Sequence, residues 1–343
     1  MALYLGLLIL SFILTALLII PFINLLYRLK FFRRKQVTRD FLGLRTKIFD
    51  RLHQKKAGTP VGGGLLIILV VSILYMILFP LIGRLGGYVS CAYPLKEELN
   101  VIFFTFVSFG LLGLYDDFYK FFGFAQKGFF GLRLREKFLI QWILALIIAA
   151  LLFFNLGIDF VHIPFWGQVK LDFWFIPFAA FIIVTFANAY NITDGLDGLS
   201  TGLLMICLFA FWILSHTILD TVLSVFISLW LGATIAFLYF NVYPARIWLG
   251  DVGALSFGAT LAVVGLLIGK IVALGVIGGF YLGEGATSLI QILSKRFLKK
   301  KAFVVAPFHL WLQNRDWEEP KIVSRAWLAG LMLAIFGLWL AMI

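Results

Sequence analysis

Residues 173–198 read FWFIPFAAFIIVTFANAYNITDGLDG. The first part, 173–190, is an uncharged apolar run of the length that crosses a bilayer as a helix. Its end sets Asn188, Asn191, Asp194 and Asp197 at a membrane boundary, where carboxylates are expensive and mark function. Asp194 and Asp197 are three apart and would share one face of a helical turn. Two carboxylates on one face, beside glycines that keep the backbone accessible, suit a hard cation such as Mg²⁺. Asn, Asp and Gly are also turn residues, so a capped turn between two helices accounts for the same string.

The same apolar pattern recurs along the chain. The 343 residues are 62% hydrophobic, with mean hydropathy +1.01, more than a soluble core requires. Apolar runs lie near 3–27, 61–82, 98–115, 137–157, 173–190, 198–218, 221–240, 252–269, 271–293 and 326–343. The prediction is an all-α polytopic membrane protein with about ten transmembrane helices, packed as one unit over 1–343. Helices are the default because each span must satisfy its own backbone polar groups. The first run has no basic residue before it and is too long for a signal peptide, so it reads as a retained helix. Cys91 falls in a short loop and Cys207 in an apolar run, which argues against a disulfide between them. The segment Phe160–Leu171 alternates apolar and polar residues around Trp166-Gly167, as a small external hairpin would.

Ten spans divide the connections into two sets. Residues 28–60, 116–136, 191–197, 241–251 and 294–325, with Lys137 just inside the fourth run, hold 25 of the 29 Lys and Arg. Only Arg84, Lys96, Lys170 and Lys270 lie elsewhere. The positive-inside rule puts the basic set in the cytoplasm and both termini outside. The net charge of +12 is then a property of that face. Orientation and attraction to anionic membrane lipid account for most of it, including Arg33, Arg34, Lys35 and Lys299 to Lys301. No nucleic-acid motif is present.

The chemically distinctive segments all fall in the basic set. Lys55-Lys56-Ala-Gly-Thr59-Pro60 precedes the second run. Asp116-Asp117 ends the third, followed by Lys120, Lys127, Arg133 and Lys137. Asn241-Val-Tyr-Pro-Ala-Arg246-Ile-Trp248-Leu-Gly250-Asp251 links the seventh and eighth, and Ala306-Pro307-Phe308-His309 lies in the last loop. Five aspartates and several lysines at one depth suit a metal and a phosphorylated substrate, since Mg²⁺ takes one or two carboxylates and leaves positions for phosphate oxygens. Adjacent Asp116 and Asp117 would point about 100° apart on a helix and so do different work. Taken singly, each segment has a plainer account. Asp116-Asp117 could hydrate a helix end, Asp251 could be the N-cap of the eighth span, and Trp248 could belong to an interfacial belt. Lys56 could serve orientation and His309 could be a surface residue. Glu284, within the ninth run, is a functional candidate or a helix–helix hydrogen-bond partner.

The strings KKAGTPVGGG, LLGLYDDFYK, NAYNITDGLDGLS, FNVYPARIWLGDVGALSFG, APFH and WEEPKIVSRAW resemble the polyprenyl-phosphate N-acetylhexosamine-1-phosphate transferases, over almost the whole chain. KKAGTP and WEEPKIVSRAW resemble the muramoyl-pentapeptide branch rather than the N-acetylglucosamine-phosphate branch. The resemblance implies ten spans, a single integral-membrane transferase domain in the inner membrane, Mg²⁺ dependence and a cytoplasmic site. It implies transfer from UDP-N-acetylmuramoyl-pentapeptide to undecaprenyl phosphate, giving lipid I and UMP. It makes Asp116, Asp117 and His309 catalytic candidates and Asp251 the metal-binding residue. Lys56, Thr59, Lys120, Asn188, Asn191, Asp194, Asp197, Asn241 and Trp248 become substrate-side residues. Three positions depart from the family pattern. His309-Leu310-Trp311 stands where three histidines are usual, Trp248 where Phe is usual, and Val61-Gly62 where Thr-Met is usual.

In that reading Asp251, with help from the other carboxylates, would hold Mg²⁺, which would neutralise charge on the departing UMP, and Lys56 and Lys120 would add positive charge at the transferring phosphate. Asp117 orients the lipid phosphate, deprotonates it, or attacks as a nucleophile. The lipid tail lies in a groove near the ninth run, where Gly275, Gly278, Gly279, Gly283 and Gly285 permit bending or close packing. The nearest rival is the same chemistry with UDP-N-acetylglucosamine. A transporter would need charges near mid-bilayer on several spans, and only Glu284 lies well within one. A non-catalytic scaffold would need no aspartate cluster. Homodimers are the commonest soluble assembly, and a homodimer is compatible with this chain.

Overall fold

The computed structural model describes residues 1–32, 56, 58–83, 89–122 and 134–343. Lys55, Lys127, Arg133, Arg84 and the run Arg33 to Lys35 lie outside them. The helices are α1 (Ala2–Arg28), α2 (Gly63–Ile82), α3 (Leu95–Phe122), α4 (Leu134–Phe154), α5 (Phe175–Thr193), α6 (Leu199–Thr217), α7 (Thr221–Asn241), α8 (Gly250–Leu267), α9 (Ile271–Ile277), α10 (Gly279–Leu293), α11 (Phe308–Gln313) and α12 (Glu319–Met342). Between α4 and α5, β1 (Phe160–Ile163) pairs antiparallel with β2 (Gly167–Lys170), with Phe160 opposite Lys170 and Ile163 opposite Gly167. This is the hairpin that the alternation predicts. Both cysteines are free.

Among the described residues nine helices, α1 to α8 and α12, are long and apolar enough to cross a membrane. The protein is a multi-pass membrane protein. The expected continuous ninth span is instead two helices, α9 and α10, bent by 76°; counted as one span they bring the total to ten. The break falls at Gly278, which a Cβ would drive to 2.5 Å from the Phe186 ring. Consecutive glycines at 278 and 279 weaken the helix there, and a bulky neighbour fills the corner. Gly285 packs on Ala189, whereas Gly275 and Gly283 meet nothing within 4 Å.

Helices α7 and α8 form the centre, each with 94% of its spanning window buried against 22% for α1. With so little polar contrast, close approach depends on small residues. A Cβ on Gly113 of α3 would stand 2.1 Å from the Asp251 carbonyl of α8, and one on Gly64 of α2 would stand 2.2 Å from Gly253. Gly113 therefore lets the end of α3 lie against the start of α8. Asp116 and Asp117, one turn further along, arrive beside Asp251.

Two boundaries differ from the hydropathy reading. Helix α3 continues to Phe122, so Asp116, Asp117 and Lys120 lie on a helix and not in a loop. Helix α12 begins at Glu319, seven residues before the expected 326, with a proline in its first turn.

Candidate active site

The ends of α3, α4 and α8 assemble a charged cluster. Lys120 Nζ lies 2.9 Å from Asp116, 2.8 Å from Asp251 and 4.0 Å from Asp117. Lys137 Nζ, in the first turn of α4, lies 2.8 Å from Asp116 and also pairs with Asp251. Asp116 and Asp117 do point apart. Asp116 faces the two lysines, while Asp117 Oδ2 accepts the Val252 N–H at 3.1 Å. That N–H belongs to the first turn of α8, where intrahelical partners are lacking, so Asp117 caps a neighbouring helix. Asp251 is not the N-cap of α8. Leu249 holds that position and Asp251 sits in the first turn, where the helix dipole favours its charge. Gly250 has a left-handed φ of 79°, and a Cβ there would stand 2.7 Å from Asp117 Oδ2.

Three carboxylates thus converge on a point that one ammonium already touches. Hard oxygen donors gathered around a cation-sized point fit Mg²⁺. Among the described residues no three acidic, histidine or cysteine side chains close into a ready metal cage. The carboxylates are paired with lysines, and an incoming ion would bring its remaining ligands with it.

The second part of the site is a pocket lined by Asp194, Gly195, Leu196, Asp197, Asn241 and Trp248. Asp194 and Asp197 do not share a helical face. Asp194 is the C-cap of α5, and the chain turns through 195–198 before α6. The turn reading of the string is therefore correct for the backbone, and the same turn lines the pocket. Asp194 accepts from the Ser200 hydroxyl, and Asp197 accepts from the Ala245 N–H at 3.0 Å. Protein surrounds Asp194 except at its pocket edge, and burial pushes its carboxyl up to about 7 against the opposing pull of Ser200. Asn241 spends its amide inside the protein, donating to the Ile247 carbonyl and accepting from Thr201.

Lys56 reaches the pocket from before α2. The Trp248 N–H donates to the Pro60 carbonyl at 2.9 Å, and the Gly62 and Gly63 N–H groups donate to the Trp248 carbonyl. This pairing leaves half-buried Thr59 beside it and puts Lys56 Nζ 5.7 Å from the Trp248 ring. Lys56 pairs with Asp197 at 2.9 Å and with Glu319 of α12. Glu319 also accepts the Asp197 N–H at 2.7 Å. The sequence reading did not single out Glu319. Pro320, at the start of an apolar helix, was the signal that could have placed it.

His309 is not a surface residue. It lies in α11, 1% exposed, with Nδ1 3.1 Å from Glu284 of α10. Its Nε2 packs on Gly195, where a Cβ would come within 2.5 Å. Of the expected substrate-side residues, Asn188 is not brought to the pocket. Its amide donates to Gln141 of α4 at 2.7 Å, joining two helices. Asn191 is half-buried in the last turn of α5, its Nδ2 without a hydrogen-bond partner among the described residues.

Residues 99–269 match the model of the glycosyl transferase family 4. Three phospho-N-acetylmuramoyl-pentapeptide-transferases are similar along most of their length. That of Bartonella quintana is 34% identical over 308 residues, covering 83% of this chain and 80% of the relative. That of Caldanaerobacter subterraneus is 34% identical over 287 residues, covering 83% and 85%. That of Aquifex aeolicus is 33% identical over 344 residues, covering 94% and 91%. With this likeness running through the α3, α5 and α8 segments that carry the charged cluster and the pocket, the chain belongs to the glycosyl transferase family 4, among the phospho-N-acetylmuramoyl-pentapeptide-transferases.

Proposed function

We propose that the protein transfers phospho-N-acetylmuramoyl-pentapeptide from its UDP-linked donor to undecaprenyl phosphate, giving lipid I and UMP. The observation that carries this reading is the meeting of Asp116, Asp117, Asp251, Lys120 and Lys137 beside the Asp194–Trp248 pocket at one end of the bundle. We place that end in the cytoplasm of a cell with an inner membrane, both termini outside, because 25 of the 29 Lys and Arg fall in the connections at that side.

The pocket receives the nucleotide. Trp248 offers a π-face to uracil, and Lys56, held between Asp197 and Glu319, sits where it can meet the phosphates. Lys120 and Lys137 neutralise charge on the pyrophosphate and on the departing UMP. Asp117, fixed by the Val252 N–H, orients the lipid phosphate, which is already ionised near neutral pH. Asp251, with Asp116 and Asp117 at hand, would hold Mg²⁺, which supplies Lewis-acid stabilisation of the leaving phosphate. The lipid tail lies against the bent α9–α10 pair.

The test uses purified protein, undecaprenyl phosphate and Mg²⁺, with UDP-N-acetylmuramoyl-pentapeptide and UDP-N-acetylglucosamine offered separately. UMP release with the pentapeptide donor alone is the expected outcome. Release with UDP-N-acetylglucosamine alone would move the protein to the sister chemistry. No release from folded protein with either donor would remove the enzyme reading.

A further inference from the structure

The pair Glu284–His309 stands behind the pocket and the charged cluster does not use it. Both side chains are 1% exposed. Glu284 faces two nitrogens of the same residue: it accepts the His309 backbone N–H at 3.1 Å, and its carboxyl lies 3.1 Å from the ring Nδ1. An ionised carboxylate has only acceptors to offer, so a hydrogen bond between it and Nδ1 needs the ring proton on that nitrogen. The tautomer that suits this contact carries the ring proton on Nδ1 and leaves Nε2 bare. Nε2 is the nitrogen packed on Gly195, a lining residue of the pocket. Glu284 is on α10, beyond the bend at Gly278, so the break in that span aims a carboxylate at α11 rather than at lipid. Sealing a carboxylate among apolar helices costs free energy unless a partner returns it. The backbone N–H and the ring of His309 are that partner.

We propose that Glu284 is a positioning residue for the reaction. It fixes His309 as the Nδ1–H tautomer, locks the ring by its own backbone, and presents Nε2 as a hydrogen-bond acceptor at the Gly195 wall of the pocket. The inference rests on the reading above that the donor occupies this pocket. It also gives the isolated histidine of the His309-Leu310-Trp311 string a role that needs no neighbouring histidine.

The chain has four histidines, so ring nitrogens can be resolved by NMR on full-length protein labelled with ¹⁵N-histidine in detergent. The His309 signals are identified by their loss in His309→Gln. At pH 8 the wild-type ring is expected to show a protonated Nδ1 and an unprotonated Nε2. Glu284→Gln, which can donate to Nδ1, is expected to move the proton toward Nε2. It is also expected to lower kcat for UMP release by about tenfold or more, with a smaller change in the donor KM. A wild-type ring protonated at Nε2, or an unchanged tautomer in Glu284→Gln, would overturn the proposal. The wild-type spectrum decides even if the variant does not fold. The spectrum is also independent of turnover: failure of the wild type to release UMP from either donor would remove the functional reading and leave the tautomer result standing.

Discussion

The Lys120 ammonium lies 2.8 Å from Asp251, across 131 positions of the chain. The contact exists because Gly113 lets α3 press against the first turn of α8. Among the described residues three carboxylates and two ammonium groups meet there, and Asp251 pairs with both ammonium groups. Asp251→Asn removes that carboxylate. The expected outcome is a fall in UMP release of about 100-fold or more, the scale of losing a charged group that acts on a developing phosphate charge. A higher Mg²⁺ concentration for half-activity is expected alongside it. A Mg²⁺ titration of wild type and Asp251→Asn checks this, and chelation should abolish activity in the wild type. An unchanged Mg²⁺ requirement would remove Asp251 from the metal site.

Gly195→Ala tests the wall between His309 and the pocket. The new methyl would come 2.5 Å from Nε2, so the imidazole must move. Overpacking of this kind costs about 1–3 kcal/mol. We expect a modestly lowered melting temperature and at least about a tenfold loss of activity, since the ring moves off its acceptor position. Activity within twofold of wild type would show that the ring can yield without consequence.

Hydropathy makes the spans legible because bilayer thickness imposes a length on each apolar run. It is blind to the 76° bend at Gly278, since a broken apolar run is as apolar as a straight one. The residue types of the site are legible for a related reason: Asp116, Asp117, Lys120 and Asp251 stand out against an apolar background. Their pairings are not, because these depend on which helices glycines allow to touch. Asn188 shows the limit. It lies near pocket residues in sequence, yet its place on α5 turns it to Gln141 of α4. Glu319 shows the converse, a site residue hidden at the start of a helix whose apolar stretch begins later.

Glu319 bridges Lys56 and the Asp197 N–H. Its loss leaves a buried backbone donor unmatched and Lys56 tied to Asp197 alone. Hydrogen bonds to charged groups are worth about 1.5–3 kcal/mol. Glu319→Ala is therefore expected to raise the donor KM by roughly tenfold to a hundredfold, with a smaller effect on kcat. Steady-state kinetics in both substrates separate the two. A change confined to the undecaprenyl phosphate KM would place Glu319 on the lipid side instead.

Trp248 separates stacking from shape. Stacking of a base on an aromatic side chain is worth about 1–3 kcal/mol. Trp248→Phe keeps a π-face and should bind UMP within a few-fold of wild type. Trp248→Ala should weaken UMP by about tenfold or more, measured by calorimetry on detergent-solubilised protein. Equal losses in both variants would mean that Trp248 shapes the Val61–Trp248 pairing rather than the nucleotide site.

Asp194 gives the pocket a pH dependence whose sign follows from burial. In the folded protein its carboxyl is pushed up to about 7 from the ordinary 3.8, chiefly because the charged form is poorly hydrated. Between those values the folded state holds a proton that the unfolded chain has released, so stability falls as pH rises across that window. The contribution is fully present below 3.8 and gone above about 7. Asp194→Asn cannot titrate and keeps an acceptor for the Ser200 hydroxyl. The melting temperature of the wild type minus that of the variant should fall steadily from pH 4 to pH 7. It should level off by pH 8, with the variant then the more stable protein. A difference that rises with pH would mean that the folded state favours the charged carboxylate, through Lys56 or a bound cation, and would reverse the assignment.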